Sequence, residues 1–185
     1  MLKQLNIDPE KCIGCKSCEL ACSIFNDRKF LPARSRINTL TFIENNHDLP
    51  YNFVWTCRQC ADAPCLESCP ADAISYAEDG SRTVVIDEKL CTGCGKCVEA
   101  CPFGTMFFDP EKKKAFKCEL CGGTPCCVEF CPTEAIVFTQ REAYYAQKMK
   151  SEIESYLFSK TRNIDTIRSM KKKVAPQAGG KNTVP

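Results

Sequence analysis

Residues 91–102 read CTGCGKCVEACP, in which gaps of two, two and three residues separate four cysteines and a proline follows the last. Residues 12–22, CIGCKSCELAC, repeat these gaps but continue with Ser23 instead of proline. The stretches CRQCADAPCLESCP, from Cys57, and CELCGGTPCCVEFCP, from Cys118, lengthen the middle gap and keep the final gap and the proline. One cysteine pattern, present four times, therefore organises most of the chain.

The composition narrows the class of protein that can carry this pattern. The chain has 185 residues, 17 cysteines and one histidine. Cysteine at this density is typical of a secreted disulfide scaffold or of an intracellular metal protein. The N-terminus, MLKQLNIDPEK, shows neither the apolar stretch nor the twin arginine of an export signal, and no run of ~18 apolar residues is present. We therefore expect a cytoplasmic protein without a membrane span, whose reduced thiols bind metal.

The spacing of the cysteines has a physical reason. Three cysteines two residues apart on a turning loop can direct their sulfurs at three irons of one 4Fe–4S cube, as in the bacterial ferredoxin run. The fourth lies about one helical turn further on, so its sulfur projects elsewhere and needs a second cube. The proline then stops the helix. Clusters are therefore expected in pairs, built by groups that exchange their last cysteine. Zinc also takes four thiolates, but its ligands usually come as separated C-x2-C pairs.

Short apolar runs between the cysteine groups predict strands. Ala73–Tyr76 and Thr83–Ile86 flank an Asp-Gly turn, which is a strong hairpin signal. The remaining predicted strands are LKQLNI before Cys12, RINTLTFI and Tyr51–Trp55 after the first group, Thr105–Phe108, Lys114–Phe116 and EAIVF after Cys131. The repeating unit is a strand, a cysteine loop, a short helix and a return strand, and the predicted fold class is α+β.

From residue 1 to about 140, the chain resembles the four-cluster ferredoxin-like iron–sulfur subunits of molybdenum and tungsten oxidoreductases. The phrases CRQCADAPCLESCPADAI and PCCVEFCPTEAI carry this resemblance. It implies four 4Fe–4S clusters in two tandem bacterial-ferredoxin-like modules with interleaved cysteine ligation. It also implies a larger molybdenum- or tungsten-cofactor catalytic subunit as partner, with ferredoxin or another redox protein. The compact size more narrowly resembles the small subunit of the tungsten benzoyl-CoA reductase and aldehyde:ferredoxin oxidoreductase type, found in anaerobes.

The resemblance implies one set of four cysteines, all iron ligands, for each cluster. In the family, the first and fourth groups form one two-cluster half, and the second and third groups form the other. We name the implied sets site I (Cys12, Cys15, Cys18, Cys131), site II (Cys22, Cys118, Cys121, Cys127), site III (Cys57, Cys60, Cys65, Cys101) and site IV (Cys69, Cys91, Cys94, Cys97). The gap before Cys131 and the family pattern both select Cys127, so Cys126 is expected to be a small buried residue.

The predicted domains are a body over 1–140, a helical extension over 141–170 and a basic tail over 171–185. Within the body, one half is 57–110 and the other is 1–56 with 111–140. Thr139–Glu142 reads as a capping box, and an apolar stripe from Tyr145 to Leu157 follows at helical spacing. Two interpretations of this helix stay open, packing on the body or clamping a larger subunit. The run Lys171–Lys173 lacks interleaved aromatic residues, which indicates a solvated end rather than a nucleic-acid site.

The sequence offers no catalytic constellation beside the cysteines. His47 lies in a polar, turn-like loop, and neither paired carboxylates near a histidine nor a phosphate-binding glycine run is present. Trp55 replaces no cysteine and is expected to pack beside a cluster. Glycines inside the cysteine loops are expected to let the backbone approach a cluster closely: Gly14, Gly93, Gly95, Gly122 and Gly123. We expect an electron-transfer subunit without an active site of its own. The alternatives are a free-standing polyferredoxin and a zinc-dependent interaction module.

Overall fold

The structure is a computed structural model that describes residues 3–42, 51–140 and Lys148. The chain divides into two compact units, Met1–Arg141 and Glu142–Pro185. Within the predicted extension over 141–170, Lys148 is described and is helical. The rest of that extension, the basic tail over 171–185 and His47 lie outside the described residues.

The described strands pair two by two, and every pair is antiparallel. Two pairs follow the second and third cysteine groups, and one lies in the insert between the first and second groups, residues 23–56. The fourth pair, by contrast, joins the two ends of the body, with Leu5 opposite Phe138. The strands are β1 (Lys3–Ile7) with β8 (Ile136–Gln140), β2 (Ile37–Phe42) with β3 (Tyr51–Thr56), β4 (Ile74–Tyr76) with β5 (Val84–Ile86), and β6 (Phe107–Asp109) with β7 (Lys114–Phe116).

All eight predicted strands are confirmed, but two of them begin two residues later than predicted, the one after Cys101 and EAIVF, which begins at Ile136. The strand predicted at Thr105–Phe108 begins only at Phe107. Thr105 is buried with its Oγ1 3.6 Å from Cys101 Sγ, so it belongs to the cysteine loop. The predicted capping box was wrong at its first residue, because Thr139 lies in β8 opposite Gln4.

Four short helices each carry the third cysteine of one group: α1 (Ser17–Asp27), α2 (Pro64–Glu67), α3 (Lys96–Ala100) and α4 (Cys126–Glu129). Three of them stop within one or two residues of a Cys-Pro pair, because proline cannot continue a helix. The first group has Ser23 in place of that proline, and α1 runs on for 11 residues. It ends where Arg28, with φ of 55°, donates its backbone N–H to the Ile24 carbonyl. Helix α1 packs against α4, and α2 packs against α3.

The buried apolar residues form two separate clusters. One combines residues of the first and fourth groups with the insert, namely Cys18, Cys22, Ile37, Val54, Cys127 and Ile136. The other comes from the second and third groups and their hairpins, namely Ala63, Ile74, Val84, Cys97, Met106 and Ala115. Arg34 bridges Asp27, at 3.0 Å, and Asp109, at 2.7 Å, with its guanidinium 4.9 Å from the Phe116 ring. This one side chain therefore ties the insert to the β6–β7 hairpin.

None of the helices in the described ranges is long and apolar enough to cross a membrane.

Candidate iron–sulfur sites

The four cysteines of site III line one hollow, with about 360 Å³ of space between atoms, part of it open to solvent. Three of them, Cys57, Cys60 and Cys65, come from the loop between β3 and α2 and from α2 itself. The fourth, Cys101, follows α3, because the packing of α2 against α3 brings the end of the third group to the second. The hollow is therefore built by two cysteine groups.

The four cysteines of site IV line a second hollow, of about 330 Å³. Cys69 comes from the second group and the other three come from the loop before α3 and from α3. The backbone N–H of Ala73 donates to Cys69 Sγ at 3.3 Å. Gly93, with φ of +73°, lies against the β6–β7 turn so closely that a Cβ would stand 2.2 Å from the Lys113 carbonyl oxygen. The cysteine loop and the hairpin thus share a surface that admits only glycine.

The cysteines of site II lie close enough together to affect one another's pKa electrostatically. Burial raises the pKa of Cys127, and negative charge on Cys118, Cys22 and Cys121 raises it further. The backbone N–H of Arg36 donates to Cys22 Sγ at 3.3 Å, and Asn26 Nδ2 lies 3.5 Å from the same sulfur. The structure therefore brings these four side chains together beside two hydrogen-bond donors.

Residues of the insert contact the cysteine loop of site I. Cys18 is buried, and its Sγ lies 3.6 Å from Thr39 Oγ1. Asn52 Nδ2 donates to the Cys12 carbonyl at 2.8 Å, while a Cβ at Gly14, where φ is +68°, would stand 2.5 Å from Asn52 Oδ1. Cys12 and Cys131 pack against the same apolar cluster as Cys18. Cys15 is exposed on the loop, where its Sγ lies 3.4 Å from Ser17 Oγ.

The arrangement suits a cube rather than a single ion. The cysteines of sites III and IV surround hollows of about 360 and 330 Å³. A zinc ion holds its thiolates at ~2.3 Å around one point. A 4Fe–4S cube binds each thiolate through a different iron, so its ligands line a hollow instead. Sites III and IV have this form, and their residues fit the cluster.

Burial favours the neutral form of several of these thiols. Burial raises the pKa of Cys97 to about 11, and it raises the pKa of Cys18 and of Cys118 to about 11 as well. A thiolate is the form that binds iron, so loading these sites releases protons. Donors aimed at the sulfurs, such as the Ala73 N–H on Cys69, then help to set the reduction potential.

Cys126 is buried, as expected of a small core residue, and it also contacts a predicted ligand. Its Sγ lies 3.9 Å from Cys121 Sγ, and this contact lowers the pKa of the Cys121 thiol. Trp55 Nε1 donates to the Phe103 carbonyl at 2.7 Å, in the loop after Cys101, and its packing beside a cluster stays a prediction.

Sequence reasoning missed Lys117, which is 1% exposed and lines the hollow of site III. The signal was available in the segment AFKC, where a lysine follows the apolar end of β7 and directly precedes Cys118.

Two family models match the chain. One, described as 4Fe-4S dicluster domain, covers residues 49–141, and another, described as 4Fe-4S binding domain, covers residues 5–23. The chain belongs to the 4Fe-4S dicluster domain family. It therefore binds 4Fe–4S clusters.

Curated relatives of this dicluster protein include the putative electron transport protein YsaA of Escherichia coli, 39% identical over 61% of this chain and 72% of the relative. A tetrathionate reductase subunit of Salmonella typhimurium is 36% identical over 60% of this chain and 45% of the relative. The polyferredoxin-like subunit of the aliphatic sulfonate oxidoreductase of Pyrococcus furiosus is 40% identical, over 52% of each chain. The match spans only about half the length of these last two relatives.

Among solved structures, the active site complex BamBC of benzoyl coenzyme A reductase contains a similar chain. It is 24% identical over 92% of this chain and 98% of its own length, with a TM-score of 0.40. Similarity at this level carries no argument about function.

Proposed function

We propose that this dicluster-family chain is the electron-transfer subunit of a larger oxidoreductase and carries four 4Fe–4S clusters in two tandem modules, followed by a helical extension. One observation carries the proposal. Two hollows, at sites III and IV, are each lined by four cysteines, and each takes its fourth cysteine from the other group. That exchange is the one expected from the C-x2-C-x2-C-x3-C spacing. Sites I and II extend the same exchange to the first and fourth groups.

The contacts between sites support a linear order from I to IV. Charge on Cys18, in site I, acts on Cys127, in site II. Charge on Cys57, in site III, acts on Cys118, in site II. Cysteines of sites III and IV pack on one apolar cluster. These neighbouring pairs of sites support the order I, II, III, IV along the body.

The residues of the chain bind the iron, shield the clusters from water and tune their reduction potentials. The clusters, when bound, supply one-electron redox centres. The cysteine loops hold the iron. The apolar clusters exclude water from the inner side of each site. Backbone and side-chain donors at Cys22 and Cys69 stabilise charge on the sulfurs. The body therefore conducts electrons from one end to the other, and the substrate reaction belongs to a partner.

The partner we propose is a larger molybdenum- or tungsten-cofactor subunit, with ferredoxin or another redox protein at the opposite end. Two relatives are named as subunits of a tetrathionate reductase and of an aliphatic sulfonate oxidoreductase, which supports a multisubunit assembly. We also propose a cytoplasmic location, where reduced thiols remain available to bind iron. Anaerobic co-purification of the native complex, with metal analysis of the large subunit, tests this assignment. Isolation of the chain alone as a diffusing carrier would favour a free-standing polyferredoxin.

Iron counting tests the cluster number and the exchanged ligands. We expect about 16 irons and as much labile sulfide per chain. Cys69→Ala and Cys97→Ala, alone or combined, are expected to remove iron from the same single cluster. Cys69→Ala combined with Cys65→Ala is expected to remove iron from two clusters, so that the losses add. If Cys69→Ala instead adds to Cys97→Ala and not to Cys65→Ala, the exchange is wrong. Stoichiometric zinc in place of iron would end the proposal.

A further inference from the structure

A buried lysine lies where sites II and III meet. Lys117 follows β7 and is 1% exposed. Its Nζ donates to the carbonyl of Cys118, a site II residue, at 2.9 Å and also to the carbonyl of Val84 in β5. The same side chain lines the hollow of site III together with Cys57 and Cys65. Its ammonium is therefore fixed at two points between two predicted cluster sites.

This ammonium has no carboxylate partner among the described residues. Arg34 pairs with Asp27 and Asp109, whereas the described contacts of Lys117 Nζ are with two carbonyl oxygens. Two carbonyl oxygens satisfy hydrogen bonds but carry no net charge, and a buried ion without a counter-charge is costly. The negative charge that could balance Lys117 is that of the thiolates around site III. Lys117 lines the same hollow as all four of them, Cys57, Cys60, Cys65 and Cys101.

We propose that Lys117 is the built-in counter-charge of the site III cluster and raises its reduction potential. The proposal rests on the proposed function, since it requires a cluster at site III. Reduction adds one electron to a centre that is already anionic, so a fixed cation beside it stabilises the reduced form more than the oxidised form. Lys117 directly precedes Cys118 of site II, so it lies where the two halves of the body meet. It therefore stabilises the reduced state of site III at the step where an electron passes between the halves. Lys117 is a positioning and tuning residue, and it is not an iron ligand.

A purely structural lysine would make the same two hydrogen bonds without changing a potential, so the test measures potentials. The holo chain is titrated with dithionite anaerobically and followed by electron paramagnetic resonance. Cys65→Ala identifies the site III signal by its loss. Lys117→Met, which keeps length and removes charge, is expected to lower the equilibrium constant for reducing site III about tenfold, or 59 mV for one electron. Lys117→Arg, which keeps the charge, is expected to stay within about threefold of the wild type.

The matched control lies in β7 itself. Lys114 Nζ donates to the carbonyl of Cys91, beside site IV, so Lys114→Met removes an equivalent lysine and is expected to leave the site III potential unchanged. The proposal is overturned if K117M retains full iron and shifts site III less than threefold. It is equally overturned if K114M shifts site III as much.

Iron content separates this proposal from the cluster assignment. A wild-type chain without iron at site III refutes the proposed function itself. If K117M loses the site III iron, Lys117→Gln provides the second comparison, because its amide can still donate to a carbonyl but is neutral. If K117M and K117Q lose the site III iron but K117R keeps it, the result supports Lys117 as the counter-charge of that cluster. Loss from all three, Lys117→Arg included, would assign Lys117 a structural role only.

Discussion

Gly93 offers a sharp test of the packing at site IV, because a second glycine in the same loop provides a matched control. Gly93 and Gly95 flank Cys94, and both adopt a positive φ, +73° and +79°. A Cβ at Gly93 would stand 2.2 Å from the Lys113 carbonyl oxygen, whereas a Cβ at Gly95 would meet nothing within 4 Å. The two alanine substitutions therefore carry the same backbone strain and differ in one steric contact.

The expected magnitudes follow from that difference. Alanine in the left-handed region costs about 1–2 kcal/mol, which is the whole expected effect of Gly95→Ala. Gly93→Ala must also move the loop away from the β6–β7 turn, from 2.2 Å to the 3.4 Å of ordinary contact. Overpacking of this kind costs a further ~1–3 kcal/mol. We therefore expect Gly93→Ala to destabilise the holo protein by about 2–5 kcal/mol and to speed the loss of iron from site IV.

The assay is anaerobic unfolding in guanidinium chloride, followed by far-ultraviolet circular dichroism and by cluster absorbance. The rate of iron transfer to a chelator is measured in parallel. Both variants keep every cysteine, so any difference reports on the backbone around the site. Equal destabilisation by Gly93→Ala and Gly95→Ala, within about 0.5 kcal/mol, would refute the close approach of this loop to Lys113.

Three further predictions address the ligands, the packing around site III and the role of metal in folding. Cys127→Ala is expected to remove the iron of one cluster and Cys126→Ala to retain all of it; the reverse result in iron analysis would exchange their roles. Trp55→Phe removes the N–H that donates to the Phe103 carbonyl at 2.7 Å, so a loss of about 1 kcal/mol is expected in denaturant titration, and an unchanged midpoint would contradict it. Removing iron with a chelator is expected to unfold the body, because six of the 18 buried apolar residues in the described ranges are cysteines and both buried clusters contain cysteines. Full retention of native circular dichroism after chelation would contradict that expectation.

The local elements were predictable because they depend on short stretches. The Asp-Gly turn marks the β4–β5 hairpin, and alternation in RINTLTFI marks β2. The proline after the last cysteine predicts short helices, and its absence after Cys22 is matched by the longer α1. The predicted boundaries were wrong where a residue contacts another part of the chain instead of extending the predicted strand or helix. Thr105 turns toward Cys101 instead of joining β6, and Thr139 pairs with Gln4 instead of starting a helix.

The sequence alone was enough to predict the 4Fe–4S chemistry, because the positions of the cysteine sulfurs follow from residue spacing on a loop and one helical turn. Tertiary structure decided which groups face one another, since pairing of β1 with β8 and packing of α2 on α3 join residues far apart in the chain. It also placed Lys117 between two sites and Arg34 between two carboxylates. A long, flexible side chain can reach partners in many directions, so its environment depends on the surrounding fold and not on its neighbours in the sequence.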